Sequence, residues 1–151
     1  MTDLRSGCLD IGGFTFHPRT RLEEVKTYFG DKLRVMQLGD RTIAKLDGPY
    51  YVTPNIYAYS FMFTADGFIQ SYTLYPVAPP MIRDEGNGEI PKYKLGVAKQ
   101  WLQAMLQLMP QTANELSVGY TLSGVGYYAA VKEDVHYGLV GGDITVLFTG
   151  A

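Results

Sequence analysis

The sequence predicts an α+β protein, a mostly antiparallel β-sheet with two helices packed on one face, and three observations carry that expectation. Residues 56 to 63, "IYAYSFMF", alternate as a strand does, only two stretches show helical periodicity, and the 12 tyrosines and 17 glycines suit strands and turns. The 151 residues fit one domain, 1-151, and a chain of this length hides about 70% of its unfolded surface.

The elements follow in order. "CLDIGGFTFHP" reads as a short strand broken or bulged at Gly12 and Gly13. In "TRLEEVKTYFG", Thr20 as N-cap and Glu23 three residues on form a capping box, while Leu22, Val25 and Phe29 share one stripe that Gly30 closes. A short helix is therefore expected over 20 to 29. "KLRVMQ" and "TIAKL", separated by "LGD", predict a hairpin, and "LDGPYY" a second turn.

From Ile56 to Phe63 the alternation sets Tyr57, Tyr59, Phe61 and Phe63 on one side and Ile56, Ala58, Ser60 and Met62 on the other. "TADG" turns the chain, and "FIQSYTLYPV" returns as the partner strand. The loop "APPMIRDEGNGEIP" leads to a helix over about 92 to 109 whose stripe is Leu95, Ala98, Trp101, Leu102, Met105 and Met109, stopped by Pro110. Strands are placed near 117 to 122, 126 to 132 and 143 to 149, with "VKEDVHYGLVGGD" as a turn or hairpin. The four aromatics Tyr57 to Phe63 are expected beneath the Trp101 helix, each buried ring contributing about 1.5 to 3 kcal/mol, with Tyr50 and Tyr51 left at an exposed edge.

Charge and motif exclude more than they assign. A net charge of -2 offers no general attraction to nucleic acid. The first 45 residues carry eight Lys or Arg, and acids outnumber bases from residue 84 onward. Cys8 is the only cysteine, so no internal disulfide and no CxxC pair exist, and it reads as a small buried residue. With no secretory run at the start and no stretch long enough to span a membrane, a cytoplasmic protein is expected.

His17 and His136 have no metal-ligand spacing, so no metal and no cofactor is expected, and they read as a loop and a turn residue. "GVGYYA", residues 124 to 129, matches a dinucleotide-loop pattern but lacks the helix that must follow it, so its glycines read as a bulge or tight hairpin. Glu23-Glu24, Asp84-Glu85 and Glu133-Asp134 are adjacent acids, and adjacency does not aim two carboxyls at one point. No catalytic signature emerges, and the chain is expected not to be an enzyme.

The order "GGFTFHPRTRLEEVKTYF", "FMFTADGFIQSYTLYPV", "AKQWL" and "GYTLSGVGYYAAVKEDVHYG" resembles small bacterial immunity proteins of interbacterial toxin systems, and also β-lactamase-inhibitor-like α+β modules. The resemblance implies a protein that neutralises a cognate protein toxin by direct binding, although the pattern fixes no contact residue. Tyr50, Tyr51, Met81, Ile82, Asp84, Glu85, Glu133 and Asp134 are the candidate exposed contacts, tyrosines as anchors and acids to steer toward a basic partner. A second reading is a small-molecule or peptide binding module using a sheet face lined by Tyr57, Tyr59, Tyr72 and Tyr75, which a helix packed over that face would refute. The third is an enzyme whose site assembles only in the fold.

Overall fold

The computed structural model describes residues 1–82 and 88–149. Alternating apolar stretches pair into an eight-stranded antiparallel sheet of β3 (Leu33–Leu38), β4 (Arg41–Thr53), β5 (Ile56–Phe63), β6 (Ile69–Pro76), β7 (Thr112–Asn114), β8 (Ser117–Leu122), β9 (Val125–Asp134) and β10 (Gly138–Phe148). Their order across the sheet is β3-β4-β5-β6-β10-β9-β8-β7. The last strand therefore enters the middle, beside β6, and joins the two halves of the chain.

A separate small hairpin, β1 (Leu9–Ile11) and β2 (Phe14–Phe16), and the helices α1 (Leu22–Phe29) and α2 (Glu89–Leu106) accompany the sheet. The hairpin packs toward β4, and α2 packs across β6, β10 and β9. Leu95, Ala98, Leu102 and Leu106 of α2 meet the inward side chains of the sheet, among them Leu74, Tyr127, Ile144 and Val146, all buried. The expected architecture is the observed one.

Several local expectations change. Gly12 and Gly13 do not bulge one strand; at φ 60° and 87° they form the turn between β1 and β2, where a residue without Cβ adopts left-handed backbone at little cost. The helix cap lies one residue later than expected. Arg21 is the N-cap and donates its backbone N–H to Glu24 Oε1 at 3.0 Å, while the buried Thr20 hydroxyl accepts the backbone N–H of His17 at 2.8 Å. Thr20 cannot serve both sites, and the loop claims it.

"LDGPYY" makes no second turn. β4 runs on to Thr53 because β5 pairs with it on both sides of an irregularity between Lys45 and Tyr50. α2 begins earlier than expected and ends at Leu106, since Gln107 turns left-handed at φ 52°. Met109 is consequently 86% exposed and Met105 is exposed as well, so neither belongs to the buried stripe. Cys8 is half-buried, not interior. The short β7 lay in a stretch that shows no strand pattern in the sequence.

The most consequential change lies within β5. Four residues of β5, Ala58 to Phe61, follow the Tyr57–Tyr75 pair before Phe61 meets Tyr72, against three along β6. One extra residue turns the strand over, as a β-bulge does. Ile56 and Ala58 point into the core before it, and Phe61 and Phe63 after it. Tyr57 and Tyr59 thus face away from Phe61 and Phe63, and the single aromatic face beneath the Trp101 helix does not exist.

Candidate ligand groove

The side chains that the bulge turns outward gather on the open face of the sheet. Tyr51, Tyr57 and Tyr75 stand side by side on β4, β5 and β6, because register pairs Tyr51 with Tyr57 and Tyr57 with Tyr75. Their ring centroids are 5.6 and 5.2 Å apart. Tyr59, next outward on β5, lies 6.2 Å from Tyr57 and 5.3 Å from Tyr75. The Tyr57, Tyr59 and Tyr75 planes are within 24° of parallel, whereas Tyr51 is tilted by 54° and is 56% exposed.

A groove of about 580 Å³ opens beside these rings, lined by Arg34, Lys45, Tyr51, Tyr57, Tyr59 and Val77 and walled by Leu46 to Pro49. No residue of either helix lines it. Its wall is the part of β4 that "LDGP" forces out of register: between the Lys45–Ser60 and Tyr50–Ala58 pairs, β4 advances five steps while β5 advances two. Proline without an N–H and glycine without a side chain suit such a departure from the ladder. Two irregularities in neighbouring strands, one turning tyrosines outward and one raising a wall, together make the groove.

Burial raises the Tyr75 phenol to about 12, with the neighbouring Tyr59 adding to the effect, and it raises Tyr57 in the same direction. Both hydroxyls are therefore neutral donors at physiological pH. Asp143 bears on both rings as a neighbouring charge and is held by Lys94 Nζ at 2.6 Å. That ion pair stands where β10 is irregular between Gly141 and Ile144. At Gly142, φ is 90° and a Cβ would stand 2.6 Å from the Pro91 carbonyl, so the approach of α2 requires glycine there.

The tyrosine face expected from the sequence is thus partly assembled. Tyr57, Tyr59 and Tyr75 meet, but Tyr72 points to the opposite face, where it is buried among Phe16, Phe61 and Phe148 at 5.7 to 5.9 Å. The eight candidate contacts are not brought together. Tyr51 reaches the groove, while Tyr50 turns inward onto Phe29, with ring centroids 5.8 Å apart. Met81 is exposed and Ile82 half-buried after β6, and Asp84 and Glu85 lie outside the described residues. Glu133 and Asp134 end β9, four strand spacings from β4 and so about 19 Å across the sheet. There the Asp134 carboxylate accepts the backbone N–H groups of His136 and Tyr137 at 2.8 and 3.1 Å, closing the β9–β10 tip.

Sequence reasoning did not single out Arg34 and Lys45. A signal was present, because a two-residue turn at Gly39-Asp40 pairs Leu38 with Arg41 and, counting back, Arg34 with Lys45. The histidines take no part in the groove: His17 Nδ1 accepts the Arg19 backbone N–H at 3.2 Å, and His136 sits exposed at the β9–β10 tip. Among the described residues no group of three His, Cys, Asp or Glu is placed to hold a metal ion. No helix among them is long and apolar enough to cross a membrane.

Comparison with protein-family models, curated proteins and solved structures gives no significant match to this chain. The reading of the groove accordingly rests on its own geometry.

Proposed function

We propose that this protein acts by binding and that the tyrosine groove holds a small molecule or a short peptide. The observation that carries the reading is the open face itself. Four tyrosines are kept half-exposed or exposed beside a groove of about 580 Å³, on strands whose opposite side is packed into the core. That volume lies within the range of about 300 to 1,000 Å³ common to ligand sites, and rings fixed on strands bind without first being ordered. 2-Naphthamide, a neutral planar probe, is expected to shift the resonances of Tyr51, Tyr57 and Tyr59 on titration. Tyr57→Ala is expected to weaken it about fivefold, in keeping with the worth of one aromatic pair. Shifts scattered over the surface, or an affinity that the substitution leaves unchanged, count against the groove.

A second reading, neutralisation of a cognate toxin by direct contact, is favoured by the β9–β10 tip. Val135 is 95% exposed and Tyr137 80% exposed there, next to Glu133 and Asp134. An apolar and acidic projection suits insertion into a basic cleft. Protection of cells from a co-expressed toxin, lost in Val135→Asp and Tyr137→Ala together, is the expected result; protection that survives those changes rules out the tip.

A further inference from the structure

Arg34 on β3 stands directly opposite Lys45 on β4, so both side chains rise from one face of the sheet. Both are exposed, both line the groove, and neither makes an ion pair or a side-chain hydrogen bond with a described residue. Like charges directly opposite each other weaken an antiparallel pair. An anion placed between them converts that repulsion into two attractions.

Among the described residues the remaining charges do not supply it. Asp47 is the only carboxylate among the groove-lining residues, against the two cations, and Asp143 is already held by Lys94. The aromatic part of the groove limits what else the anion carries. Tyr57 and Tyr59 are nearly parallel, at 22°, and so offer a platform to a planar ring; they do not encircle a cation, which Arg34 and Lys45 would in any case repel.

We propose that the groove binds a small planar aromatic acid, its carboxylate between Arg34 and Lys45 and its ring against Tyr57 and Tyr59. The proposal rests on the groove being a ligand site and specifies the chemistry of the ligand. The carboxylate provides charge-assisted hydrogen bonds to both cations, and Arg34 can accept it in bidentate fashion.

The test compares 2-naphthoate, 2-naphthamide and N-methylquinolinium by calorimetry at low salt, on the native chain and on Arg34→Gln with Lys45→Gln. The substituted side chains are exposed, and a thermal melt checks that the fold persists. Naphthoate is expected to bind about tenfold more tightly than naphthamide, the worth of one charge-assisted bond. In the double variant that preference is expected to vanish, naphthoate affinity falling to that of naphthamide on the same variant. Equal affinity for acid and amide, a preference that survives the double variant, or tightest binding of the quinolinium overturns the proposal but leaves the groove as a site. Failure of all three probes to bind removes the groove reading, and this inference with it.

Discussion

The two faces of the sheet use the same kind of residue for opposite ends. On the inner face Phe16 and Phe61 stack with centroids 4.4 Å apart and planes at 12°, both buried, and Tyr72 and Phe148 close around them. On the outer face Tyr57, Tyr59 and Tyr75 are spaced at 5.2 to 6.2 Å and remain in contact with solvent. β5 contributes to both sets from residues two apart, Tyr59 outward and Phe61 inward. Aromatic content therefore does not distinguish core from site; which side of one bulge a ring occupies does.

Truncation separates the faces most sharply. Phe61→Ala is expected to cost about 3 to 5 kcal/mol in denaturant unfolding, because it opens a cavity among close-packed rings. Tyr57→Ala is expected to cost only about 1 kcal/mol while weakening probe binding. Comparable losses at the two positions would erase the distinction.

A smaller effect divides the inner face itself. The Tyr127 hydroxyl donates to the Leu4 carbonyl at 2.8 Å in the core, whereas the buried Tyr72 hydroxyl has no hydrogen-bond partner among the described residues. Tyr127→Phe leaves the Leu4 carbonyl with the Gly7 N–H alone, at 3.1 Å, and is expected to lower stability by about 1 kcal/mol. Tyr72→Phe removes an unpaired polar group and is expected to raise it by about 1 kcal/mol. Unfolding curves with the same sign for both variants would contradict this account of the core.

The subtlest difference concerns alkaline pH. Tyr75 is raised from 10.0 to about 12 in the fold, so below pH 10 folded and unfolded chains both keep its proton and stability is unaffected. Between pH 10 and 12 the unfolded chain loses a proton that the folded chain retains, and stability falls as pH rises. Tyr127 and Tyr72, raised by burial, act in the same direction from the inner face. Tyr75→Phe is expected to make the decline shallower. Stability that rises over this interval would reverse the sign assigned to burial.

Much of this was legible in the chain. The "LGD" and "TADG" hairpins, the two amphipathic helices, and strands near their observed positions follow from local periodicity and turn chemistry, which act between near neighbours. The candidate site was legible only in part. Residue type marks Tyr57, Tyr59 and Tyr75 as possible lining, but it does not show that Tyr72 turns to the opposite face, and the basic pair emerges only from the hairpin register.

What the sequence by itself determined is the set of elements and the alternation within each run, since side-chain direction reverses at every residue of a strand. Only the tertiary structure decided where that alternation slips. The bulge in β5 depends on how β4 and β6 pair on either side of it, and the wall at Leu46 to Pro49 on strand pairing that continues past a Gly-Pro step. Such choices are made by long-range pairing and burial together. A shift of one residue sends Phe61 into the core and Tyr59 to the open face, and no local pattern in "IYAYSFMF" encodes it.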